Sequence, residues 1–142
     1  GAWWTEAEYV IRFYDVTGET DGSGDAVVTT EHPILGELLA VVVDGTALTN
    51  GADLTLVGQM PAQAGADDET ETYINNGDVG NATPDTFYPR RAAETNDGTD
   101  LVYASTDIVP VPYVIPGLLV KATVANGGAT KGFRVRLVVR TD

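Results

Sequence analysis

The strongest constraint on this chain is the regularity with which turn-forming residues interrupt it. Gly, Asn and Asp gather at 17–25 (TGETDGSGD), Asp44-Gly45, Asn50-Gly51, Asn75-Asn76-Gly77, Asn96-Asp97-Gly98 and Asn126-Gly127-Gly128. Glycine supplies positive φ without strain and Asn or Asp tolerates it, so each cluster marks a reversal of the backbone. Between the clusters lie short stretches rich in Val, Ile, Leu, Thr and aromatic residues, the composition of strands. No stretch sustains an apolar period of 3.6. The chain is therefore expected to be all-β, with strands near 8–14, 25–30, 37–43, 53–58, 70–75, 86–92, 101–105, 111–114, 117–125 and 131–140.

The alternation within the strands ranks them. In 37–43 (ELLAVVV) both alternate sets are apolar, as in a strand covered on both faces. In 9–14 (YVIRFY) Tyr9, Ile11 and Phe13 share one face and Arg12 lies on the other. The last strand is the clearest: Phe133, Val135, Leu137 and Val139 form one face and Arg134, Arg136, Val138 and Arg140 the opposite one. Across the Asn126-Gly127-Gly128 turn it is expected to form a hairpin with 119–124. Pro110, Pro112 and Pro116 cannot donate ladder hydrogen bonds, so 107–116 should be an edge strand or an extended crossover. The stretch 60–85, rich in Ala, Gly, Asp and Asn, reads as a long loop with a small strand at 70–75.

With 142 residues the chain fits one domain, at roughly 100–200 residues each. The expectation is a single β-sandwich or jelly-roll-like domain over 1–142, with 1–7 as an N-terminal arm. There is no cysteine, which excludes disulfides, thiolate metal sites and a cysteine nucleophile. The one histidine, His32, leaves nothing for a multi-histidine zinc site, and two serines leave little for a serine–histidine triad. A net charge of −13, from 21 acids and 8 bases, argues against a nucleic-acid partner, which calls for a basic patch. The longest apolar run, 38–43, is far short of the roughly 20 residues of a membrane span. Such acidity suits salty surroundings or dense packing on a large assembly, and equally an ordinary acidic surface.

Chemistry-bearing constellations are few. Asp21-Gly22-Ser23-Gly24-Asp25 spaces oxygen side chains as a calcium loop does, but Ala26 and His32 stand where an EF-hand needs glycine and glutamate, and a simple turn is the better reading. Asp67-Asp68-Glu69 with Glu71 reads as a solvated acidic loop. Any fold brings some pair among 21 carboxylates to glycosidase spacing, so nothing points to acid–base catalysis. The expectation is a non-enzymatic protein without cofactor or metal. The candidates that remain are interface residues. Trp3 and Trp4 either cover the end of the sandwich or anchor an arm in a neighbouring subunit. Lys131, Arg134, Arg136 and Arg140 place half of the basic residues in the last twelve positions, and their forks should meet carboxylates within the subunit or across an interface. Arg90 and Arg91, after Phe87-Tyr88-Pro89, are a second concentration.

The order Gly36-Glu37-Leu38-Leu39-Ala40-Val41, then Asp53-Leu54-Thr55-Leu56, then Thr86-Phe87-Tyr88-Pro89-Arg90, resembles small structural proteins of tailed bacterial and archaeal viruses. So does the closing stretch Leu119-Val120-Lys121-Ala122-Thr123-Val124-Ala125-Asn126-Gly127-Gly128 followed by Phe133-Arg134-Val135-Arg136-Leu137-Val138-Val139. The resemblance covers about 25–140, poorly over 60–85, and carries no catalytic motif. It implies a head decoration protein that stabilises the capsid from outside, bound to the major capsid protein as a homotrimer of β-sandwich subunits on the outer surface of the virion. A tail or baseplate β-domain of such a virus is one alternative. The other is a carbohydrate-binding β-sandwich using Trp3, Trp4, Tyr73, Phe87 or Tyr88 as stacking platforms.

Overall fold

The computed structural model describes residues 8–61, 65, 68–94, 98–100, 102–103 and 107–142, with backbone alone at 102–103 and 107–108. Trp3 and Trp4, and the expected arm 1–7, lie outside the described residues. Eleven strands form there: β1 (Val10–Glu19), β2 (Ala26–Thr29), β3 (Ile34–Asp44), β4 (Asp53–Met60), β5 (Asp68–Asp78), β6 (Asp85–Phe87), β7 (Arg90–Ala92), β8 (Val102–Tyr103), β9 (Asp107–Ile108), β10 (Pro110–Ala125) and β11 (Gly132–Thr141). The described residues contain no helix, and the strands pair antiparallel in the order β1-β11-β3-β10-β4-β5. β2 and β7 also attach to β10, β6 attaches to β3, and β8 and β9 form a separate ribbon. The protein is an all-β sandwich.

One strand makes the two layers continuous. Residues 113–116 of β10 pair with 35–38 of β3, whereas 119–125 pair with β4 and 121–124 with β2. The change of partner falls at a bulge between Pro116 and Leu118, where Gly117 takes φ +84°, a conformation open to glycine without strain. Of the proline-rich stretch, expected as an edge strand or an extended crossover, 110–116 is the part of β10 that pairs with β7 and β3 before the strand passes to the other layer. The expected strands 111–114 and 117–125 are one strand with a corner in it. Conversely, the expected strand 86–92 divides at Tyr88-Pro89 into β6, which pairs with β3, and β7, which pairs with β10.

The inner faces of both layers share one core. Leu38, Val41 and Val43 of β3, Leu54 and Leu56 of β4, Val120, Ala122 and Val124 of β10, and Phe133, Val135, Leu137 and Val139 of β11 are buried together. Complete burial of a Val or Leu side chain contributes about 1.5–3 kcal/mol, so this interior dominates the stability. The inward phase of β11 is the one its alternation predicts.

Four expectations are corrected. The 126–131 segment is not a hairpin turn: β10 pairs there with β4 and β2, and β11 with β1 and β3, so the segment arches from one layer to the other. Its glycines serve close approach to other loops. The Gly127 N–H donates to the Gly24 carbonyl at 2.8 Å, and the Gly127 carbonyl accepts from Thr49 N–H at 3.0 Å. The buried Thr20 hydroxyl accepts from Lys131 N–H at 2.8 Å and donates to the Gly128 carbonyl. Second, the stretch 60–85 carries more than a small strand at 70–75, because 68–78 is the eleven-residue strand β5. Its polar residues face solvent at an edge while Tyr73 and Ile74 are buried against β4. Third, β3 is not equally covered on its two faces. The ladder to β11 passes from Leu38 directly to Ala40, leaving Leu39 as an extra residue. This bulge brings Leu38 and Val41 to the same, buried face and leaves Leu39, Ala40 and Val42 half-buried. Fourth, the acidic stretch from 68 onward is not simply solvated: Glu69 is bound by Lys121 at 2.6 Å and Glu71 lies 3.9 Å from Arg91.

Candidate functional site

The outer face of the β1-β11-β3 layer is where the arginine row lies. Register places it there: Arg134, Arg136 and Arg140 stand opposite Thr17, Asp15 and Ile11 on β1, and opposite Asp44, Val42 and Glu37 on β3. Neighbours directly across a ladder share a face, so all these side chains point away from the core. Tyr9, Ile11 and Phe13 are on this side as well. They share one face as their alternation predicts, but it is the outer one, and Tyr9 and Phe13 are 60% and 61% exposed. Tyr14, Val16 and Gly18 take the inward phase because they oppose Leu137, Val135 and Phe133. At Gly18 the Phe133 ring occupies the space of a side chain, coming within 2.7 Å of where a Cβ would stand.

Two of the arginines are held within the subunit. Arg136 grips Asp15 with two bonds, Nε to Oδ1 at 2.7 Å and Nη2 to Oδ2 at 2.9 Å, and its guanidinium lies 5.4 Å from the centre of the Phe13 ring. Arg140 Nη2 donates to Glu37 Oε2 at 2.5 Å, with its guanidinium 5.3 Å from the centre of the Tyr9 ring. Each guanidinium thereby serves a carboxylate in its plane and an aromatic ring across its face. The bond from Arg136 holds the Asp15 carboxyl below the usual carboxylate range, against a smaller opposing effect of burial. Arg134 differs. It is exposed and makes no ion pair among the described residues, and its charge adds slightly to the lowering of Asp15 and Asp44. The lowering at Asp44 comes first from the Thr46 hydroxyl, which donates to Oδ1 at 2.8 Å.

Arg90 and Arg91 do not join this face as a pair. Arg90 Nη1 donates to the carbonyls of Pro89 at 2.7 Å and Leu39 at 3.2 Å, capping the oxygen of the residue that the β3 bulge leaves out of the ladder. Arg91 binds Glu94 at 2.5 Å. The Asp21–Asp25 segment is a turn: Asp21 Oδ1 accepts from the backbone N–H groups of Ser23 at 2.8 Å and Asp25 at 3.0 Å. Those donors, Asp25 first, lower the Asp21 carboxyl. No group of three or more metal-ligating side chains gathers among the described residues.

Two open grooves are relevant. One, of about 420 Å³, continues the arginine face where Leu35, Glu37, Val114 and Arg140 meet. Leu35 and Val114 are 64% and 61% exposed there. The other, of about 300 Å³, is lined by Tyr73, Phe87 and Tyr88 with Asn75. Of these rings only Tyr88 is well exposed; Tyr73 is buried edge-on to Tyr113 with 5.1 Å between ring centres, so they form no flat stacking row.

The sequence reading found the arginines and missed their partners. Asp15, Glu37, Tyr9 and Phe13 complete the face, with Leu35 and Val114 at its end. A signal for β1 was present: Asp15 and Thr17 continue the phase of Tyr9, Ile11 and Phe13, and a core-facing set does not run on into an aspartate.

No family model matches the chain, and no curated protein matches it in sequence. Among solved structures, a chain of infectious bursal disease virus, Gx strain, is similar at a TM-score of 0.47 and 10% identity, covering 95% of this chain. This chain spans about a third of that one, 32%. The Yersinia pseudotuberculosis-derived mitogen is similar at a TM-score of 0.38 and 14% identity, over 94% of this chain and 90% of its own. PirA is similar at 0.38 and 15%, over 88% and 93%. All three scores lie below 0.5, and they assign neither a family nor a function to the chain.

Proposed function

We propose that this protein is a non-enzymatic structural component of a virion, decorating and stabilising the outer capsid surface of a tailed bacterial or archaeal virus as a homotrimer bound to the major capsid protein. The observation that carries the reading is the outer face of the β1-β11-β3 layer. It combines exposed aromatic rings, arginines pre-set by internal carboxylates, and a cation, Arg134, that makes no ion pair among the described residues, on a chain of net charge −13. Aromatic rings and arginines are the side chains that dominate protein–protein interfaces, and a rigid sheet presents them at little ordering cost. The resemblance of 25–140 to small tailed-virus structural proteins supplies the virion context.

The test is light scattering of the purified chain at micromolar concentration, at low and high salt, followed by co-sedimentation with empty shells of the virus that encodes it. A trimer mass and saturable co-sedimentation are expected. A monomer that leaves shells bare at every salt concentration overturns the reading. Binding to tails in place of shells favours a tail or baseplate role.

A further inference from the structure

We infer that copies of this chain meet through the corner of β10, with the Val114 side chains of three subunits converging on one threefold axis. The inference rests on the homotrimer of the proposed function and adds to it the surface through which the subunits touch.

Register builds that surface. Across the β3–β10 ladder Leu35 stands opposite Pro116, and Glu37 opposite Val114. These four side chains share the outer face, since Ile115, in the opposite phase, is completely buried. Val114 lines the 420 Å³ groove together with Leu35 and Glu37. It also lines a second groove, of about 270 Å³, together with Met60, Pro116 and Leu118. The two grooves therefore adjoin at Val114. Leu35, Val114 and Met60 are 64%, 61% and 52% exposed. Single apolar side chains on a surface need no partner, but three gathered along adjoining grooves mark a contact site. The Pro116–Leu118 bulge and two ladders fix the backbone beneath them, so little order remains to be imposed on association.

Charge selects the occupant. A second copy of a chain with net charge −13 is repelled wherever carboxylates stand unmatched. Around Val114 they are matched. Glu37 accepts from Arg140 at 2.5 Å, and Glu71, on the second groove, lies 3.9 Å from Arg91. Asp142 adds one acid at the end of the first groove. An apolar centre ringed by both signs of charge in near balance is complementary to a copy of itself. Around a threefold axis the same residue of every copy converges, so one compact patch serves all three contacts. Val114, common to both grooves, is the residue at its centre.

Light scattering at micromolar concentration should give the parent the mass of three chains. L35D/V114D should fall threefold, to a single chain, while its circular-dichroism melt stays that of a folded protein. V27D, at an equally exposed position on the other layer, should remain trimeric. The chain has no cysteine, so V114C carries a single thiol, and mild oxidation should link V114C chains in pairs while V27C stays unlinked. A parent that is monomeric throughout overturns the trimer, and this inference with it. A trimeric parent whose L35D/V114D variant is also trimeric, or whose V114C chains stay unlinked, overturns the corner contact alone. Were L35D/V114D unfolded, the V114C linkage decides by itself.

Discussion

Asp15 and Arg136 stand directly opposite each other on β1 and β11, joined by two hydrogen bonds at 2.7 and 2.9 Å although 121 residues separate them in the chain. The bond depresses the Asp15 carboxyl below its ordinary 3.8. A group depressed in the folded state adds stability above its unfolded pKa, and that increment is lost as pH falls through the folded value. Thermal melting should therefore fall below about pH 4, and D15N should make that fall shallower. Asp21 and Asp44, lowered by their own turn donors, keep part of the dependence in the variant. A D15N acid profile that superposes on the parent's would remove the pair from the explanation.

Arg134 separates assembly from folding more cleanly than its neighbours, because it makes no ion pair among the described residues and adds only slightly to the lowering of Asp15 and Asp44. R134Q should melt within about 0.5 kcal/mol of the parent, as surface substitutions do. If Arg134 meets a carboxylate in a dry interface, the loss on association is about 2–5 kcal/mol. Light scattering and shell co-sedimentation measure this. Adding R136Q should weaken assembly further while releasing Asp15. Unaltered assembly in the double variant would leave the row as a solvated strand face.

The 126–131 arch should be sensitive at both of its anchors. Thr20 is buried with its hydroxyl bonded on both sides, so T20V should cost about 1–3 kcal/mol by leaving those groups unpaired. Gly128 has φ +80°, and a Cβ there would meet the Thr49 hydroxyl at 2.1 Å. G128A should cost a further about 1–3 kcal/mol in backbone strain. Denaturant titration would show both as lower midpoints; midpoints equal to the parent's would mean the arch tolerates release.

Tyr73 carries the one buried side-chain polar atom without a partner among the described residues, its hydroxyl. Y73F should be neutral or stabilising by up to about 1 kcal/mol, since a desolvated hydroxyl without a bond costs free energy. Burial pushes Tyr73 up to about 12, helped by the negative charge of Glu71. An unfolded tyrosine loses its proton near 10, so between pH 10 and 12 the unfolded state binds fewer protons and stability falls as pH rises. Y73F should flatten that alkaline decline. A clear loss of stability at neutral pH would instead reveal a partner for the hydroxyl.

The extent to which this structure could be read in advance follows range. β11 was legible because Phe133, Val135, Leu137 and Val139 alternate with arginines over one strand, and burial of one face fixes such a pattern. β3 was legible as a strand but not in its facing, since with both sets apolar only the ladder to β11 reveals the extra residue Leu39. β5 was hidden by its polar edge position, its strand character coming from β4. The Asn126-Gly127-Gly128 signal correctly marked a reversal but not its span. Thr20, Gly24 and Thr49 decide that span, from the other end of the chain. The same distance hid the Asp15 and Glu37 partners of the arginines.

β10 belongs to both layers, and its corner at Gly117 leaves no seam along which they could part. A sandwich of two separate sheets can slide or peel at their apolar contact. Here a pull on β3 passes along covalent backbone into the strand that β4 and β2 hold, and the load spreads over ladders in both sheets. Under shear the two layers should therefore yield together, as one folded ribbon joined along β10.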